Sequence, residues 1–222
     1  MVIVETAHRE PRWPPLAAVL VLMGASLVAA IALPEHTSWL PPGLVTALEG
    51  LLLLALLAQN PMSERGNSRS ARVIATALVG LVVAAALWGT VQLTKDLVDG
   101  SPATNSAGSL LAYGGIVLVS NMIAFALGYW LFDSGGPLRR IDEPTRHPDI
   151  AFPQQLNPDV APPGWRPVFW DYLYLGFTNS LAFSPTDAMP LAHWPKLAMT
   201  VQAAISLTIL GLVVARAVNV FT

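Results

Sequence analysis

The chain of 222 residues has no cysteine. That absence excludes disulfides, thiolate catalysis and Cys-ligated metals. Charge is almost as scarce. Only 12% of residues are Asp, Glu, Lys or Arg, against about 25% in soluble domains. Water is therefore not the main solvent of this protein, and lipid takes its place. The net charge of -2 gives no basis for a nucleic-acid partner. The four histidines, His8, His36, His147 and His193, are scattered, with no i, i+4 pair and no carboxylate at ligand spacing, so no metal site is expected. No G-x-S-x-G, H-E-x-x-H, P-loop or G-x-G-x-x-G occurs, so neither an enzyme nor a cofactor is expected.

What is present is apolar sequence in long runs. Leu16–Leu33 holds 18 residues without a charge, just enough to cross a hydrocarbon core of about 30 Å. Pro14 and Pro15 suit its first turn and Pro34 stops it. The preceding MVIVETAHREPRWPP carries two acids, Glu5 and Glu10, ahead of the apolar run, which is read as a retained helix and not a signal peptide. Further runs are Leu44–Ala58, Val73–Leu93, Leu110–Phe132 and Leu197–Phe221. The segment 133–166 is rich in proline and weak in periodicity. It is expected to be extended and to pack over the bundle, outside the hydrocarbon. Between it and the last run, Val168–Phe183 begins with crowded aromatics (Trp165, Trp170, Tyr172, Tyr174), which favour the headgroup level. It ends at Ser184, because Pro185 pushes its predecessor out of the helical region.

These runs predict an all-α fold: a polytopic membrane helix bundle with five long helices plus a short pore-type helix before the last one. The expected organisation is a four-helix transmembrane region over 1–132, a Pro-rich connecting segment over 133–167, and a terminal module over 168–222. Lys and Arg in the N-terminus, the 59–72 loop and the 133–166 loop number nine, against Lys95 alone in the alternate loops. The positive-inside rule then predicts a multi-pass protein of the cell membrane with a cytoplasmic N-terminus. Two topologies remain open for Val168–Phe183. In the favoured one it crosses, giving six spans and both termini inside. In the other it enters part-way and turns back.

Asp171 to Leu197 reads DYLYLGFTNSLAFSPTDAMPLAHWPKL. A short aromatic-headed helix, a turn ending in Asp187, then Pro190, Trp194, Lys196, Leu197 and a long last helix resemble the pore module of potassium channels. The likeness covers about fifty residues, Trp170 to Phe221. In that family the turn is TVGYGD. Aligned on Asp187, its filter glycines fall on Ser184 and Thr186 and its filter Tyr on Pro185. A carbonyl-lined filter needs backbone conformations that glycine reaches freely and that proline denies. The resemblance therefore implies a channel-like oligomer, a tetramer if it is a channel. Its path for a monovalent cation would be lined by side chains at Thr178, Asn179, Phe183, Ser184, Pro185, Thr186 and Asp187. The alternative is a non-conducting structural or sensory protein that keeps the architecture without ion selectivity. Asn121, YWLFDSGGP (129–137), FPQ (152–154), APPGWRP (161–167) and the terminal module together resemble an uncharacterised family of small bacterial, actinobacterial-type integral membrane proteins, which implies class and location but no activity.

Three further polar residues lie in apolar sequence. Glu49 is a functional candidate by the cost of intramembrane carboxylates, or it snorkels toward the outer interface, or it sits protonated against a neighbouring helix. Asn121 is a functional candidate or a hydrogen bond between helices. Asp171 lies seven residues before Thr178, so the two share a helix face with Tyr174 between them. They form either a water-facing lining or, at Asp171, a cap.

Overall fold

The computed structural model describes residues 10–32, 43–58, 69–100, 106–142, 147–184 and 187–221. The apolar runs fold into α1 (Trp13–Ala32), α2 (Leu44–Ala58), α3 (Arg69–Asp99), α4 (Ala107–Phe132) and α8 (His193–Phe221). The described fold is almost wholly helical. Three helices, α3, α4 and α8, are long and apolar enough to cross a membrane, whereas α1 and α2 are apolar but shorter.

α3 outruns its expected end at Leu93 by six residues. Helical spacing continues through the polar TKDLVD: Leu93 and Leu97 are buried on the face that meets Leu110, Tyr113 and Ile209. Packing there outweighs the local polarity that suggested a loop.

The segment after α4 is more ordered than an extended loop. It contains a 3-10 turn (Asp133–Gly135), α5 (Pro137–Asp142), the two-residue strand β1 (Ile150–Ala151), α6 (Pro153–Leu156) and a second 3-10 turn (Pro158–Val160). As expected, it packs on the bundle: Ile150 and Phe152 are buried against Tyr129, Tyr172 and Leu175.

The aromatic-headed stretch forms α7 (Phe169–Leu181), 13 residues long, or about 20 Å at 1.5 Å per residue. It does not cross the bundle. α7 starts beside the C-terminal end of α4, where the Trp130 and Phe169 rings meet edge to face at 6.0 Å. α8 starts at the same end, with Phe132 and Trp194 at 6.2 Å. Between them the chain climbs back, and β2 (Met189–Pro190) pairs antiparallel with β1 in the cap. Of the two courses left open for Val168–Phe183, α7 follows the one that enters the bundle part-way. A 13-residue helix is too short to span, and its exit is stitched to the end it entered from.

α4 and α8 run antiparallel. Phe132–Trp194 marks one end, Asn121–Ser206 the middle, and Gly114 against Val213 the far side. The start of α1 lies at the α7 end too, with Trp13 edge-on to Trp170 at 5.8 Å. Arg12, Arg69, Arg72, Arg139, Arg140 and Arg166 therefore gather at one end of the bundle, as the loop charges anticipated.

Candidate functional site

α7 is seated by three polar devices that act at different depths. At its entrance, Asp171 Oδ2 accepts the Val168 N–H at 2.7 Å, so the carboxylate satisfies a donor left over at the helix start. Glu10 reaches the same place from ahead of α1. Its carboxylate accepts Trp130 Nε1–H (3.0 and 3.1 Å) and the Phe169 N–H. Burial pushes the Glu10 carboxyl above the ordinary range, against the pull of those donors and of Arg140.

One turn on, a buried cluster ties α4, α7 and α8 together. Asp133 is fully buried. Oδ1 accepts Ser134 Oγ–H at 3.0 Å and the Ile150 N–H at 3.1 Å, and Oδ2 accepts the Tyr172 hydroxyl. Arg140 Nη1 donates to the Trp130 and Asp133 carbonyls at 2.8 and 2.9 Å, and its guanidinium lies 5.0 Å over the Tyr172 ring. Asp149 Oδ2 accepts the Ser134 N–H and Trp194 Nε1–H, both at 3.1 Å, which fixes where α8 begins.

Deeper, Gln202 of α8 is the hub, at 0% exposure. Nε2 donates to Gly176 O and Ser180 Oγ, both at 2.9 Å. Oε1 accepts from the Tyr129 hydroxyl at 2.7 Å and Asn179 Nδ2 at 2.8 Å. Both amide protons and the carbonyl are used, so the group is satisfied without water. Gln202 lies nine positions beyond His193 in α8, which puts the inner end of α7 about 13 Å inside the bundle.

The expected lining residues divide into two sets. Thr178 and Asn179 are buried and structural. Thr178 Oγ1 shares its proton between the Tyr174 and Leu175 carbonyls, both at 3.1 Å, on its own helix. Asn179 donates to Met199 O at 2.9 Å as well as to Gln202. The polar stripe expected of Asp171, Tyr174 and Thr178 does not form, because Thr178 is buried with its hydroxyl on its own helix while Tyr174 lies exposed with Trp170, Phe177 and Leu181. Phe183, Ser184 and Asp187, by contrast, are exposed at the turn. Phe183 has φ 54°, a left-handed conformation that costs a non-glycine residue energy. Pro185 and Thr186 lie outside the described residues.

Glu49 and Asn121 do not join this site. Asn121 Nδ2 donates to Ser206 Oγ at 3.1 Å, a bond between α4 and α8 one turn below Gln202. Glu49 is 1% exposed in the half of α2 away from the arginine-rich end, and its Oε2 has no hydrogen-bond partner among the described residues. Its side chain is packed inside the bundle and not turned to its surface.

Sequence reasoning missed Gln202, Asp133, Arg140 and Asp149. One signal was available: Gln202 and Ser206, one turn apart, interrupt an otherwise apolar helix. Among the described residues no group of three or more His, Asp or Glu is placed to hold a metal. Comparison of the chain with protein-family models, with curated proteins and with solved structures finds no match.

Proposed function

We propose that this is a multi-pass protein of the cell membrane whose α7–α8 module sits at a contact between copies of the chain and lines a path for monovalent cations there. One observation carries the reading. The turn after α7 leaves the helical conformation about 13 Å inside the bundle and is exposed in a single copy. At membrane depth, irregular backbone is tolerated only against protein or a water-filled cavity. A second copy, or water on an axis shared by copies, meets that requirement. Ser184 and Asp187 are the side chains placed to meet a cation, with Asp187 near the mouth beside β2.

The adjoining surface supports assembly. α8 exposes Leu197, Val201, Ala204, Gly211, Ala215 and Val218 along one stripe, and α7 exposes Trp170, Tyr174, Phe177 and Leu181 along another. The small members of the α8 stripe, Ala204, Gly211 and Ala215, would let helices of neighbouring copies approach closely there. In planar bilayers the purified protein is expected to give discrete cation currents. Asp187→Asn is expected to weaken cation-over-anion preference severalfold, since a ring of carboxylates would set it. A defined oligomer that leaves bilayers silent would refute conduction. That outcome would favour the second reading, a non-conducting assembly or sensory protein. The use of Thr178 and Asn179 as packing groups, and the Phe183 ring at the turn, speak for it. Native mass spectrometry separates the two: a tetramer supports the channel, whereas a monomer would reject it and favour the non-conducting reading.

With α7 re-entrant, five helices cross, and the arginine-rich end carries the N-terminus on the cytoplasmic side. The C-terminus then lies on the other side, unlike in the six-span topology. Because the chain is free of cysteine, single-cysteine labelling is unambiguous. Asp159→Cys and Met189→Cys are both expected to react from the N-terminal side; reaction from opposite sides would restore a crossing α7.

A further inference from the structure

One cavity opens inside the bundle at its arginine-rich end, between α1, α2, α3 and α4. Its volume is about 420 Å³, within the range of roughly 300–1,000 Å³ typical of ligand pockets. The walls are apolar, with Val19, Leu53 and Ala75 supplied by three different helices. The charged residues that line it are Glu10, Arg12 and Arg72. Arg12 immediately precedes α1 and Arg72 lies in the first turn of α3. Two helices, α1 and α3, begin at this mouth and two, α2 and α4, end at it, so the partial charges of the helix ends offset and the arginines set the balance. The Glu10 carboxylate is engaged by Trp130 and Phe169, and burial favours its neutral form. The mouth thus carries two guanidinium groups against one carboxylate, over an apolar interior.

From this geometry we propose that the cavity takes one acyl chain of an anionic phospholipid, with the phosphate at Arg12 and Arg72. Basic pockets between membrane helices hold acidic headgroups by the same charge pairing. The apolar depth adds chain burial that a free phosphate lacks. This assignment is independent of whether the α7 turn conducts.

The test is thermal unfolding of the full chain in neutral detergent with added phosphatidylglycerol, phosphatidylcholine or glycerol phosphate. Phosphatidylglycerol is expected to raise Tm by several degrees by mass action, phosphatidylcholine much less, and glycerol phosphate not at all. Ala75→Phe, which fills the cavity, is expected to abolish the shift while helical circular dichroism is retained. Arg12→Gln with Arg72→Gln is expected to make the two lipids equivalent. Equal shifts from both lipids in the parent protein would overturn the proposal, as would an unchanged shift in Ala75→Phe. A glycerol phosphate shift matching that of the lipid would reduce the site to a free-anion site and overturn the chain assignment. If Ala75→Phe does not fold, the arginine pair decides: a phosphatidylglycerol preference that survives it rejects the headgroup contact.

Discussion

Gln202→Met is expected to destabilise the protein by about 2–4 kcal/mol, although methionine fills nearly the same space. The substitution removes four hydrogen bonds, to Gly176, Ser180, Tyr129 and Asn179. Interhelical bonds of this kind contribute about 0.6 kcal/mol each on average and up to about 1.7. Leaving buried donors unpaired adds further cost: the Tyr129 hydroxyl loses its acceptor, and Asn179 keeps only Met199 O. Equilibrium unfolding in bicelles measures the difference. Thr208→Val is the control, because Thr208 is exposed and bonds only to Ala204 O of its own helix. Equal melting of the two variants would show that the hub has no energetic role.

Gly176→Ala is expected to destabilise as well, against the usual sign. In an open helix position alanine gains about 1 kcal/mol over glycine. At Gly176 a Cβ would stand 2.8 Å from Met122 O and 3.3 Å from Ala126 Cβ of α4. The nearer neighbour is backbone, so relief requires α7 or α4 to move as a body. Overpacking of this kind costs about 1–3 kcal/mol, enough to cancel the propensity gain and leave a net loss. Gly115→Ala on α4 is the internal comparison: nothing lies within 4 Å of its Cβ position, and it is expected to hold or raise Tm. Similar gains from both substitutions would mean that α4 and α7 do not touch at Gly176.

Local sequence carried the helices and hid their joints. The apolar runs, the proline-rich cap, the aromatic start of α7 and its stop before Pro185 are local properties, and each was readable from composition and spacing. The end of α3 was not, because Leu97 is held helical by residues more than ten positions away in α4 and α8. The course of α7 depended on Asp149, whose carboxylate holds Trp194 across 45 positions. Nothing near Val168 says where α8 will start. Site residues divided on the same line. Ser184 and Asp187 are exposed, as a turn of small and charged residues suggests. Asn179 and Thr178 carry the same kind of polar atom, yet serve packing, because Gln202 lies opposite one and the helix's own carbonyls opposite the other. A side chain's polarity is written at its own position, while its partner is written 23 residues later.

Glu10 gathers an N–H from the last turns of α4 and another from the first residue of α7, at sequence separations of 120 and 159. The schedule of assembly follows from that reach. α1 is made early in synthesis, and the carboxylate ahead of it then waits for a partner made long afterwards. Until α7 docks, that group keeps its water, so the entrance to the module closes last and from both ends of the chain at once. The α7–α8 unit is accordingly a poor graft. Moved into another bundle without α1, it would arrive without the residue that closes its entrance.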